Sequence, residues 1–193
     1  MKSSKKLPKI RASLSLPICL IAFGLIYGPT YLISVFTATL LHELGHVAAI
    51  YLSHGSISEI VLRPFGAVIK RQPVSGSYLS DLFISLSGPI MNIISFGICA
   101  FIGKLGHFAA ASLILASVNL IPSDPLDGYS ALRAFALLFF PPDTAERICK
   151  TISLIILGVI WIFTVYFTIY AQLNIYLLIM ITVLIFGTLT SIR

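Results

Sequence analysis

From residue 12 to residue 58 the chain carries one formal charge, the carboxylate of Glu43. That carboxylate stands between two histidines in "TLLHELGHVAAIYL", residues 39–52, inside an apolar run long enough to span a bilayer. An ionised group in hydrocarbon costs at least about 2.5–3.5 kcal/mol, so ionisable residues are rare there and usually functional. A soluble α/β enzyme is excluded by this run. Composition agrees, since 58% of the 193 residues are hydrophobic and 10% are charged, against about 25% charged in soluble domains.

The net charge of +6 raises the question of nucleic acid. Five basic residues (Lys2, Lys5, Lys6, Lys9 and Arg11) precede the first apolar stretch, and the rest are scattered. No basic stripe interleaved with aromatics exists, so nucleic acid is not an expected partner. Cys19, Cys99 and Cys149 are isolated and odd in number, which gives neither a disulfide framework nor a cysteine metal motif. The basic leader runs into apolar sequence without a convincing small-x-small cleavage site, so a retained anchor is expected.

About 20 apolar residues at 1.5 Å each cross the hydrocarbon core. Six segments approach that length, near 12–28, 30–53, 78–102, 106–121, 147–169 and 172–191. The expected fold class is therefore an all-α polytopic membrane protein with about six transmembrane helices. With a cytoplasmic N-terminus, twelve of the thirteen Lys and Arg fall on the cytoplasmic side and only Lys104 lies outside. The positive-inside rule then puts both termini in the cytoplasm.

Two loops are more than linkers. "ISEIVLRPFGAVIK", 57–70, is apolar and β-branched on both sides of "RPFG", which predicts a short membrane-associated β-hairpin after the second span. "NLIPSDPLDGYS", 119–130, contains Pro122, Pro125 and Gly128, so helix must break there. Irregular backbone at membrane depth survives only where protein or a water-filled cavity satisfies it.

In "HELGH" the two histidines are four residues apart and share one helix face, where both imidazoles can bind one metal ion. Glu43, next to the first ligand, can act as general base, which is the logic of the HExxH zinc metalloproteases. The apolar flanks remove the alternative of a solvated helix face. Gly45 beside His46 points to another backbone or ligand approaching closely.

Catalytic zinc takes three protein ligands and keeps one position open. His54 and His107 lie at span ends and read as interfacial. Glu59, Asp81, Asp143 and Glu146 read as solvated or capping groups. Asp124 and Asp127 remain, and Asp127 is preferred because it sits before Gly128 where helix restarts.

"HELGH" in one span, "SGPIMN" at 87–92 in another and "NLIPSDPLDG" at 119–128 in a third resemble, in this order, the three signatures of the site-2 protease family. The likeness runs from about residue 14 to 140, and the layout is most similar to the sporulation-type branch. It implies one domain over 1–193, with a core near 14–140 and additional helices over 147–191, and without PDZ or nucleotide-sensing modules. It implies one Zn2+ held by His42, His46 and Asp127, with Glu43 as the catalytic base. It also implies that Asn119 and the "NLIP" backbone, Pro122 included, hold an unwound substrate strand. Gly88, Pro89 and Asn92 would shape the third core helix, and Asn92 alone would read as a helix–helix hydrogen-bonding residue. Phe65 and Gly66 fall in the counterpart of the family's membrane hairpin, whose edge can pair with an extended substrate. Gly66 is followed here by Ala67 where the family often has a second glycine.

The expected function is regulated intramembrane proteolysis: a zinc endopeptidase in the cell membrane cutting a transmembrane segment of a single-span protein near its cytoplasmic side. Two competing readings come from other classes. Intramembrane histidines and acids also mark ion- or proton-coupled carriers, although those usually show internal repeats and none is visible here. The other is a catalytically inactive relative that binds membrane proteins without cutting them, and the intact ligands and Glu43 count against it.

Overall fold

The computed structural model describes residues 9–63, 66–71, 77–171 and 175–190. The chain forms two compact units, 1–117 and 118–193.

The first unit opens with strand β1, Lys9–Ala12, followed by helices α1, Ser15–Tyr27, and α2, Pro29–Leu52. Gly28 separates the helices at φ +88°, and Pro29 starts α2 where a missing N–H costs nothing. Strands β2, Ile57–Arg63, and β3, Gly66–Arg71, form the hairpin expected around "RPFG". Their antiparallel register sets Arg63 opposite Gly66 and Val61 opposite Val68, with an irregularity between Ile57 and Glu59. β1 adds to β2 in parallel, giving a three-stranded sheet in the order β1-β2-β3.

Helix α3, Tyr78–Phe101, is capped by Ser77, whose side chain accepts from the Ser80 N–H. It runs beside α2. Helix α4, His107–Asn119, begins at a histidine whose ring lies 4.1 Å from that of Tyr31. Ala49 and Ile50 of α2, Ile57 of β2 and Ile84 of α3 form a buried cluster, with Ile60 and Ile69 of the hairpin packed against it. The apolar sides of β2 and β3 are thus what seats the sheet on the α2/α3 pair.

The second unit contains α5, Asp127–Ala136, α6, Pro142–Tyr170, and α7, Ile175–Thr190. Tyr129, Ala136, Ala145 and Cys149 bury the contact between α5 and α6. Tyr129 donates to Glu146 Oε1 at 2.8 Å, and Arg133 Nε reaches Glu146 Oε2 at 3.1 Å. Lys150 meets the same carboxylate at 3.3 Å. Burial, with the carboxylate beside it, pushes the Tyr129 phenol far above its usual pKa. Glu146 is therefore a bonded hub rather than the solvated group its sequence position suggests. Trp161 donates to Thr182, joining α6 to α7, and Thr164 returns its hydroxyl proton to the Ile160 carbonyl. Such back-bonding satisfies hydroxyls where water is scarce.

All six expected apolar segments contain helix. Among the described residues, α2, α3 and α6, of 24, 24 and 29 residues, are long and apolar enough to cross a membrane. α1 and α4 have 13 residues each and α7 has 16. At 1.5 Å per residue, 13 residues cover only about 20 Å of a core about 30 Å thick. Helix length therefore supports three crossings and leaves the expected six unestablished. The end of the first leader is also different: residues 9–12 are strand, so the basic leader contributes to the sheet.

Candidate metal centre

α2 buries one stripe, containing Ala38, His42, Gly45, His46, Ala49 and Ile50, and turns it toward α3. The i, i+4 spacing brings His42 and His46 onto this stripe, with 5% and 9% of their surfaces exposed. Their Nε2 atoms lie 3.2 Å apart and their rings are nearly perpendicular, at 81°.

α3 orients the second histidine. His46 Nδ1 lies 2.8 Å from the Ile84 carbonyl oxygen. A carbonyl can only accept, so Nδ1 carries the proton and the Nε2 lone pair is left to bind elsewhere. This is how a metal-ligating histidine is generally held. Ser87 donates to the same carbonyl at 2.6 Å and stands 3.4 Å from His46 Nδ1. Pro89 lacks an N–H and its ring crowds the preceding turn, which loosens the α3 ladder beside this carbonyl.

Two glycines make the approach possible. A Cβ on Gly45 would stand 2.6 Å from the Ser87 carbonyl oxygen, so only glycine lets α2 and α3 close here. This is the near backbone expected beside His46. A Cβ on Gly88 would collide with His46 Nε2 and lie 2.8 Å from His42 Nε2.

The two nitrogens suit a metal. With Zn–N bonds of about 2.0–2.1 Å in tetrahedral geometry, two ligand nitrogens are about 3.3 Å apart, close to the separation of the two Nε2 atoms. The space a Gly88 side chain would fill lies against both. These features, and neutral imidazoles as donors, fit zinc.

Glu43 is half-buried one residue from His42. Its Oε1 accepts a hydrogen bond from the Ala67 N–H at 2.7 Å, tying it to the first residues of β3. Gly66 has φ +125°, and a Cβ there would lie 2.9 Å from the same Oε1. His42, Glu43, His46 and Gly66 are thus brought together within the first unit. Phe65 lies outside the described residues. Asn92, one turn beyond Gly88, is fully buried, and neither side-chain polar atom meets a partner among the described residues.

In the second unit, Asp127 is the first residue of α5 and is half-buried, while Asp124 is exposed in the preceding turn. Leu126 precedes Asp127 in an extended conformation, so the expected restart of helix at this position is seen. Asn119 ends α4, and Pro122 is half-buried in the irregular stretch that follows.

His54 follows α2 at φ +58°, and His107 starts α4, both at helix ends as expected. Asp81 and Asp143 occupy first turns. Glu59 differs from its solvated reading. It pairs with Lys70 at 3.0 Å and Arg11 at 3.3 Å, and the Lys70 hydrogen bond holds its carboxyl below the usual range. The Ile84 carbonyl and the Ala67 N–H were not foreseeable, because main-chain groups leave no mark on residue type. Ser87 had a faint signal in "SGP".

No family model matches the sequence. A protein named zinc metalloprotease from Methanocaldococcus jannaschii is 28% identical over 149 residues, covering 68% of this chain and 43% of the relative. The chain thus spans less than half the length of that relative. Among solved structures, a site-2 protease from Methanocaldococcus jannaschii matches with a TM-score of 0.65 at 21% identity, over 97% of this chain and 93% of that one. The chain has the fold of that protease. With the three long apolar helices, the likeness supports an integral membrane protein. The chain is thus similar in sequence to a zinc metalloprotease and in fold to a site-2 protease.

Proposed function

We propose that the chain is an intramembrane zinc metalloendopeptidase. The observation that carries this reading is the pair of buried Nε2 atoms 3.2 Å apart, with Glu43 one residue from His42 in an otherwise uncharged stretch. Asp127, the third ligand that the likeness of the signatures implies, would give a two-histidine, one-carboxylate set, a combination catalytic zinc sites use. When bound, zinc supplies a Lewis acid for the scissile carbonyl and lowers the pKa of the attacking water.

Glu43 takes the proton from that water and delivers it to the leaving amine. A helical peptide bond is shielded by its own backbone, so the substrate must be held extended. By the likeness of the signatures, Asn119 at the end of α4, Pro122 after it, and Phe65 and Gly66 are the residues that bind the unwound segment. Asn92, whose amide has no partner among the described residues, is assigned to the substrate-binding set by the same likeness. The substrate is a single-span protein of the cell membrane, cut near its cytoplasmic side in regulated intramembrane proteolysis. With the six spans expected from the sequence, the distribution of Lys and Arg supports the cytoplasmic side for both termini and for the site's opening.

Glu43→Gln tests the reading in detergent against a panel of single-span model substrates. Cleavage should fall by about 10²–10⁴-fold while bound zinc is kept. Cleavage at the wild-type rate would overturn it.

A further inference from the structure

We propose that Ala67 is a positioning residue, whose backbone N–H holds Glu43 Oε1 and so fixes how the carboxylate is presented beside His42. The inference rests on the protease reading and adds the part played by the hairpin. The 2.7 Å separation is that of a charge-assisted N–H to carboxylate bond, among the stronger neutral-donor contacts available.

The sheet explains why this N–H is available. Among the described residues β3 is an edge strand, with β2 on one side only. Antiparallel ladders alternate, so main-chain groups that do not bond β2 face the outer edge. Since the Ala67 N–H goes to Glu43, Ala67 and Ile69 face outward while Gly66, Val68 and Lys70 face β2. The outer edge lies against α2, where Ile69 joins the cluster of Ala49 and Ile50. The hairpin is therefore anchored two residues from the hydrogen bond, which gives the donor a fixed position.

Gly66 is the second constraint. Its φ of +125° disfavours any side chain, and a Cβ would crowd Glu43 Oε1 at 2.9 Å. At position 67 only the N–H matters. That is why an alanine serves where a second glycine would also serve.

Amide exchange read at Ala67 in the detergent-purified full chain tests the contact independently of activity. Exchange should be about tenfold faster in Glu43→Ala and close to wild type in Glu43→Gln, whose side-chain oxygen still accepts. Cleavage supplies the second arm. Ala67→Pro removes the N–H at an edge position where proline spares the ladder, and should lower kcat about 10²-fold with KM little changed. Ala67→Ser keeps the N–H and should cleave like wild type.

Unchanged exchange in Glu43→Ala, or wild-type kcat in Ala67→Pro, would overturn the proposal. If Ala67→Pro fails to retain zinc, the exchange comparison and Ala67→Ser decide, and a large kcat loss in Ala67→Ser also overturns it. Wild-type protein that responds in exchange but cleaves nothing would overturn the protease reading, and Ala67's role with it.

Discussion

A side chain on Gly88 would take the space in front of His46: its Cβ would collide with Nε2 and stand 2.8 Å from the Nε2 of His42. Room for a metal between the two histidines is thus set by a residue on the neighbouring helix. Neither histidine's own sequence context reveals it.

Gly88→Ala should therefore abolish zinc binding with little effect on folding, because the added methyl points into the ligand site rather than into a packed core. Zinc content by elemental mass spectrometry, alongside a thermal melt, checks this. Full zinc occupancy in Gly88→Ala would show that the metal binds elsewhere.

The outer strand β1 should be acid-sensitive. Glu59 has its pKa lowered on folding, chiefly by the Lys70 hydrogen bond, with Arg11 and Lys9 adding attraction. Its contribution is therefore fully present above the ordinary carboxylate value and is lost as pH falls through the lowered folded value. Amide protection over residues 9–12, corrected for intrinsic exchange, should decline as pH falls from the ordinary carboxylate range through the lowered Glu59 value. Glu59→Gln should flatten that decline, and added salt should weaken the pairing.

Tyr129→Phe should loosen α5 on α6. It deletes the 2.8 Å bond to Glu146 but leaves Arg133 and Lys150 on that carboxylate. The loss should be about 1 kcal/mol, read as a fall in Tm of about 3 °C. An unchanged Tm would show that the ion pairs alone hold the contact.

The legible parts of the site were those written in side chains at fixed spacing. His42 and His46 four apart, with Glu43 beside them, follow from helix geometry alone, and β-branched residues around "RPFG" announced the hairpin. Pro122, Pro125 and Gly128 announced the break before α5. Hydropathy could not give helix ends: α6 starts at Pro142, five residues before its apolar segment, because proline suits a first turn. Lys9–Ala12 looked like a basic leader because four residues carry no β signal without the partner strand β2. The Ile84 carbonyl and the Ala67 N–H were illegible for a different reason, since every residue except proline offers both groups and only the fold selects which are used.

The central claim is that His42, His46 and Asp127 hold one zinc ion. The most direct test is elemental mass spectrometry of the detergent-purified chain, comparing wild type with His46→Ala and Asp127→Ala. The account predicts about one zinc per chain in wild type and loss of it in both variants. A well-folded wild type without zinc would contradict the metalloprotease reading, and zinc fully retained in Asp127→Ala would contradict the assignment of the third ligand.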